Sequence, residues 1–253
     1  MTFNIAQITD CHLKADKQDD FYGCQPYQNL MLVLTDIANK QSEYDAIVLT
    51  GDLVQDEIWQ SYQNFLNALH QFKWQLPIYL IPGNHDEPNL FERFSQDELF
   101  TQDKVIELDD WLLVLFNSYH PTQKGAGYIS HEQLAKIEQQ IKLKPNAHLT
   151  HWLVFLHHHV VPFNSFIDQY DLQNSTDFKQ WLAQTPNIKA IIHGHVHSAA
   201  SGQFYGKPWY ACAASSVQFG HSPQGFAITD NNPSYNQISL ASDGTVNVKA
   251  HLV

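Results

Sequence analysis

Apolar runs that stop at polar residues organise the first half of this chain. Residues 3–9 alternate apolar and polar, turn apolar, and end at Asp10-Cys11-His12. Residues 46–50 are apolar up to a threonine and end at Gly51-Asp52, and residues 77–81 end at Pro82-Gly83-Asn84-His85-Asp86. Short continuous runs of this kind read as parallel strands covered on both faces. Between the first two, Leu30, Val33, Leu34 and Ile37 follow Pro26 at helical spacing. Proline is well placed at a first helical position, so a helix is predicted over 26–40. Tyr62, Phe65, Leu66 and Leu69 mark a second amphipathic helix over 56–70. The order is therefore β-α-β-α-β, the pattern of a parallel sheet with crossover helices.

The second half continues with a short helix over 87–94 and two strands, 105–108 and 111–117, paired about the turn signal Asp109-Asp110. Ser130 is predicted to cap a helix over 130–143, with Gln133 completing a capping box. A strand over 152–156 runs into His157-His158-His159; a helix over 176–184 follows; a strand over 189–192 runs into His193-Gly194-His195-Val196-His197. Strands over 209–213, 225–229, 235–240 and 245–252 close the chain, separated by turns such as Tyr205-Gly206-Lys207-Pro208 and Ser242-Asp243-Gly244. No repeat or low-complexity linker interrupts it. Polar candidates from Asp10 to His197 need one shared core, so residues 1–253 are expected to form one domain.

Composition narrows the function. Apolar residues make up 43% of 253 residues, as in globular proteins. No apolar stretch is long enough to span a membrane. The first residues enter a strand pattern directly, with no basic region or cleavage site, so no signal peptide is expected. Three cysteines, Cys11, Cys24 and Cys212, lack metal-site spacing, and a reducing cytoplasm is the simplest setting. The net charge of −12 repels nucleic acid. Attraction for a phosphate ester must then come from a local positive centre, which bound metal would supply. Oligomeric state, monomer or homodimer, is not legible.

The 15 histidines are the abnormal feature. Five strand ends carry metal-ligand types: Asp10 and His12; Asp52; Asn84 with His85 and Asp86; His157; His195 and His197. Imidazole and oxygen together suit Mn, Fe, Zn or Co, and argue against a calcium cage or a thiolate site. In extended chain, residues i and i+2 point the same way, so Asp10 and His12 are expected to share an ion through that alternation, with His195 and His197 reaching the same cleft. Asp52 is expected to bridge two ions, although an aspartate after a strand also serves as a helix N-cap.

These motifs resemble those of the calcineurin-like metallophosphoesterases: Asp10-x-His12, Gly51-Asp52-x-x-x-Asp56, Gly83-Asn84-His85-Asp86, a histidine after a later strand, and Gly194-His195-x-His197. Stretches such as Thr50-Gly51-Asp52-Leu53-x-Gln55-Asp56, Leu156-His157-His158-His159 and Ser215-x-Val217-Gln218-Phe219 are closer still to the bacterial class III cyclic nucleotide phosphodiesterases. The resemblance implies a four-layer α/β/β/α sandwich, two mixed sheets flanked by helices. It implies two divalent or trivalent metal ions (Fe, Mn or Zn), one held by Asp10, His12, Asp52 and His197, the other by Asp52, Asn84, His157 and His195. It makes His85 the catalytic histidine and puts Asn84, His85 and His197 against the substrate. It implies hydrolysis of 3′,5′-cyclic AMP, or a related cyclic nucleotide, to the 5′-monophosphate by in-line attack of hydroxide.

Metals lower the pKa of bound water toward ~7, so hydroxide is available near neutral pH. His85 then protonates or stabilises the leaving alkoxide. Asp86 is expected to cap the helix that follows rather than to orient His85, and Asp56 to act as an N-cap or to stand behind the ligands. His158, His159 and His193 are expected to hydrogen-bond in the core or at the surface; His70, His131, His148 and His251 are expected to have no part in catalysis. Segments 16–24, 163–171 and 213–221 could line a nucleoside pocket. Their aromatics Phe21, Tyr22, Phe163, Phe166 and Phe219 either stack on a base or pack in the core. Two other readings compete: a related enzyme acting on a glycerophosphodiester or phosphomonoester, and a non-enzymatic scaffold.

Overall fold

The computed structural model describes residues 2–122, 125–148, 150–173 and 175–253. Its first sheet has the strand order β13-β12-β1-β2-β3, built from β1 (Thr2–Ile8), β2 (Ala46–Thr50), β3 (Ile78–Ile81), β12 (Ser234–Ala241) and β13 (Val246–Leu252). Strands β1, β2 and β3 run parallel, joined through α1 (Pro26–Asn39) and α2 (Trp59–Leu69), while β12 is antiparallel to β1. Helix α3 (Pro88–Ser95) follows β3. The second sheet has the order β4-β5-β6-β7-β9-β8, from β4 (Val105–Glu107), β5 (Trp111–Leu115), β6 (His151–Phe155), β7 (Ile188–His193), β8 (Ala200–Phe204) and β9 (Lys207–Ala211). Helices α4 (His131–Lys142) and α5 (Ser175–Gln184) belong to this half. A two-stranded ribbon, β10 (Gln218–Gly220) and β11 (Ala227–Asp230), stands apart from both sheets.

The alternation of side chains along the strands explains the layers. In β2, Ala46 and Val48 face the second sheet, and Ile47 and Leu49 face α1 and α2. In β6, Leu153 and Phe155 face the first sheet, and Trp152 and Val154 face α4 and α5. Three apolar clusters therefore fill three interfaces: helices on sheet, sheet on sheet, sheet on helices. Two mixed sheets flanked by helices is the expected architecture. Each fully buried aliphatic side chain contributes roughly 1.5–3 kcal/mol, enough collectively to carry strained backbone elsewhere.

Some local expectations fail, each for a visible reason. Helix α2 begins at Trp59, not at Asp56, whose carboxylate instead accepts Ala15 N–H at 2.8 Å and Ser61 Oγ–H at 2.5 Å. Asp56 thus ties the loop after β1 to the first turn of α2 and caps no helix. The cap of α3 is Glu87, which accepts Leu90 N–H at 2.8 Å, with Pro88 at the first helical position. Ser130 caps α4 as expected, but the Gln133 side chain does not close the box; it pairs with the backbone of Asn117 on both its amide atoms. Strand β8 is polar along much of its length, and β10 is three residues long, so neither has an apolar run to announce it.

Candidate metal centre

The C-terminal ends of β1, β2, β3, β6 and β7 meet at one edge. Within each sheet the ends are tied by backbone, Asp10 N–H to Gly51 C=O at 3.0 Å and Gly194 N–H to His157 C=O at 3.1 Å, and between the sheets His195 N–H donates to Asp10 Oδ2 at 2.9 Å. This is the edge at which open α/β sheets bind ligands. All seven predicted ligands and His85 converge there. His12 Nε2 lies 3.0 Å from His197 Nε2 and 3.7 Å from Asp52 Oδ2. His197 Nε2 lies 3.4 Å from Asp10 Oδ1. On the other side of Asp52, His157 Nε2 lies 3.4 Å from Asp52 Oδ2, 3.2 Å from Asn84 Oδ1 and 3.2 Å from His195 Nδ1.

The convergence does not come from strand alternation. Nine non-glycine residues among those described have positive φ, and five of them are Asp10 (52°), His12 (50°), Asp52 (51°), His195 (70°) and His197 (48°). The i, i+2 expectation is thereby corrected: these side chains are aimed by left-handed turns just past the strand ends. Such conformations cost of order 1 kcal/mol or more per residue and persist only where the surroundings fix them. Strain gathered on candidate ligands is itself a mark of function.

Close approach also requires glycine. A Cβ on Gly83 would overlap the Asp52 carboxylate and backbone nitrogen, and a Cβ on Gly194 would overlap Thr9 Oγ1 and meet Asp10 Oδ2 at 2.8 Å. Gly83→Ala is expected to fold yet lose about 10²-fold in activity, because Asp52 must shift by an ångström or so. Parallel measurement of melting temperature and metal content separates this from simple unfolding.

Hydrogen bonds fix the tautomers. His197 Nδ1 donates to Val217 C=O at 2.8 Å and His157 Nδ1 to Thr50 C=O at 2.7 Å. A carbonyl only accepts, so Nδ1 carries a proton in both rings and each Nε2 is directed inward, the arrangement that orients metal-bound histidines. Asp10 Oδ1 and His195 Nε2 are buried without any hydrogen-bond partner. Burial pushes the Asp10 carboxyl up, but His197 beside it reverses this and holds it below its usual value. Asp52 behaves likewise, with His157 as the main opposing influence, and ends well below the usual range. His12 is driven down to about 3, first by burial and then by His197. His157 moves the other way, to about 9: burial lowers it, and Asp52 more than compensates. A cation and a proton therefore compete for the His157 lone pair. Two anionic carboxylates and inward imidazole nitrogens form donor groups, Asp10–His12–His197 and Asp52–His157–His195, that fit cations, and His12–Asp52–His85 forms a third.

The surrounding predictions divide. Asp86 is fully buried and neither caps α3 nor orients His85. It accepts Gly83 N–H at 2.8 Å, Leu53 N–H at 3.2 Å and Tyr62 O–H at 3.0 Å, so it braces the turns that present Asn84 and Asp52. Burial, with Asp52 nearby, raises its carboxyl to about 7. His158 is satisfied by Ser118 Oγ at 2.8 Å and Gly125 C=O at 3.0 Å. His159 Nε2 faces Asp168 Oδ1 at 3.5 Å, and its ring stacks nearly parallel on His195 at 5.5 Å. In His193, Nδ1 bonds Gly194 C=O at 2.9 Å. His70, His131 and His251 pair with Asp97, Asp177 and Gln237 away from the site, and His148 is exposed.

A cavity of about 740 Å³ opens over the donors, and Asn84, His85 and His197 line it, as expected of groups that meet substrate. Phe21, Tyr22, Phe166 and Phe219 also line it. Phe163 does not; it packs on Trp209 and His221. The sequence reading missed Phe226 and His120 in the lining. Phe226 follows the turn residue Gly225 at an exposed position, which was its only signal.

The three cysteines are free and buried. No helix among the described residues is long and apolar enough to cross a membrane.

The chain is 36% identical over 252 residues to a probable cyclic nucleotide phosphodiesterase of Colwellia psychrerythraea, covering 97% of this chain and 93% of that protein. It is 32% identical over 244 residues to a 3′,5′-cyclic adenosine monophosphate phosphodiesterase of Haemophilus influenzae, covering 96% and 87%. A dimetal phosphatase of known structure from Danio rerio superimposes with a TM-score of 0.64 at 12% identity, over 98% of each chain, a likeness of fold. Residues 3–199 match the model of the calcineurin-like phosphoesterases. The family model spans most of the chain and the relatives nearly all of it, and the chain belongs to the calcineurin-like phosphoesterase family.

Proposed function

We propose that the chain hydrolyses 3′,5′-cyclic AMP, or a related cyclic nucleotide, to the nucleoside 5′-monophosphate at a pair of metal ions, iron, manganese or zinc by donor type. The observation that carries this is the pair of donor groups on either side of Asp52, with imidazole nitrogens fixed inward and two buried carboxylates. Near-full-length likeness to proteins named cyclic nucleotide phosphodiesterases supports the substrate class.

In this reading Asp10, His12, Asp52 and His197 hold one ion, and Asp52, Asn84, His157 and His195 the other. When bound, the ions supply positive charge and a hydroxide-level nucleophile near neutral pH. Asp10 and Asp52 cancel two of the four charges of a divalent pair. The cavity floor therefore attracts a phosphodiester despite a net charge of −12 on the whole chain. His85 is only partly buried and lines the cavity, whereas the candidate histidine ligands are buried. Its backbone N–H donates to Asp52 Oδ1 at 2.9 Å, which fixes its place beside the donors. We assign it the proton given to the leaving alkoxide rather than a ligand role. Both sheets contribute to the one donor set, which supports reading residues 1–253 as one domain. Buried free thiols are in keeping with a reducing cytoplasm.

The test is a substrate panel: cyclic AMP, cyclic GMP, 2′,3′-cyclic AMP, bis-p-nitrophenyl phosphate, a glycerophosphodiester and a phosphomonoester. Cyclic AMP is expected to yield 5′-AMP. Turnover of the artificial diester alone would remove the cyclic nucleotide and leave the chemistry standing.

A further inference from the structure

Phosphoryl chemistry at the cavity floor leaves most of a 740 Å³ space unexplained. One side of that space is a continuous aromatic wall. It starts on the donors themselves: Phe21 stacks on His12 with centroids 4.7 Å apart, and Phe219 lies flat on His197 at 3.9 Å and 3°. From there it climbs outward. Tyr22 packs on Phe21 at 4.8 Å, Phe226 on Phe219 at 5.0 Å and on Phe166 at 5.0 Å, and Tyr22 meets Phe226 at 5.4 Å. The inner rings are well buried or half-buried, but Tyr22 is 55% and Phe226 44% exposed. Large apolar groups left open to water at the rim of a cavity mark a ligand surface, whereas those scattered singly do not. Tyr22 also holds a positive φ of 52°, an unfavourable conformation for an aromatic residue, and Phe226 follows Gly225 at φ 132°. Two separate turns are thus bent to bring these rings together above the donors.

We propose that Tyr22 and Phe226 form the stacking surface for the purine base of the substrate. This rests on the cyclic nucleotide reading above and makes them the residues that distinguish a nucleotide from a base-free diester. A cyclic phosphate seated on His12 and His197 places its nucleoside along the wall that starts on those same rings. Aromatic stacking suits the task because every base presents a π-face, and loss of one such surface costs about 10- to 100-fold in affinity.

The experiment compares cyclic AMP with trimethylene phosphate, a six-membered cyclic diester that carries no base. In Tyr22→Ala/Phe226→Ala, the ratio of kcat/KM for cyclic AMP to that for trimethylene phosphate is expected to fall about 10- to 100-fold, mostly through KM for cyclic AMP. The pair Tyr22→Phe/Phe226→Tyr keeps the rings and is expected to keep the ratio. An unmoved ratio in the alanine variant, whether both esters hold or both decline together, overturns the stacking assignment and leaves the cyclic nucleotide reading intact. A wild-type protein that cleaves trimethylene phosphate but no cyclic nucleotide overturns both.

Discussion

Asp52→Asn is expected to lower diester hydrolysis by about 10³-fold or more, the scale of several kcal/mol of electrostatic stabilisation at a metal centre. The substitution is nearly isosteric. Its Oδ1 still accepts the His85 N–H, which spans 2.9 Å in the native chain, so the loop that carries His85 keeps its anchor. What changes is the second oxygen, which lies 3.7 Å from His12 Nε2 and 3.4 Å from His157 Nε2. That oxygen faces both donor groups at once. An amide there presents hydrogens to two imidazoles and carries no charge to hold cations. The measurement is kcat on cyclic AMP beside metal content and melting temperature. A variant that keeps its activity would show that Asp52 does not join the two halves of the site.

His85→Asn is expected to cost about 10²–10⁴-fold on cyclic AMP, the usual contribution of a positioned general acid, and only a few-fold on bis-p-nitrophenyl phosphate. The contrast follows from the leaving groups. The ribose alkoxide is a strong base and needs a proton as the P–O bond breaks, whereas p-nitrophenolate departs without one. His85 has the placement for this: its ring packs edge-on to His12 at 5.2 Å and reaches the cavity. It also falls within a group with His12 and Asp52 that could hold an ion. The two esters separate these roles, because loss of a ligand lowers both rates alike. An equal fall on both substrates would contradict the proton-donor role.

The strands and the donors were legible for the same reason. Strands buried on both faces, such as β2 and β6, are continuous apolar runs between their first residue and their end, so the first polar residues after each run mark the functional edge. What could not be read was the backbone beyond that edge. Nothing in Asp10-Cys11-His12 announces that Asp10 and His12 both adopt positive φ, since that conformation is imposed by tertiary packing. Asp86 was misread for a related reason. A carboxylate before a proline-led helix suits an N-cap locally, but Gly83 N–H in its own turn and two donors from elsewhere in the fold, Leu53 N–H and Tyr62 O–H, claim it. Gln133 likewise serves Asn117 across the loop instead of its own helix. Polar side chains have several satisfactory partners in a sequence and only one set in the fold. Phe226 escaped notice because an exposed aromatic at a turn has no periodicity to give it away.

Whether scattered loops hold a pair of cations on either side of Asp52 is decided by elemental analysis of protein purified without added chelator. About two transition-metal ions per chain are expected, with activity lost on chelation and restored by re-addition of the metal. A metal-free protein that hydrolyses cyclic AMP at the same rate would contradict that expectation.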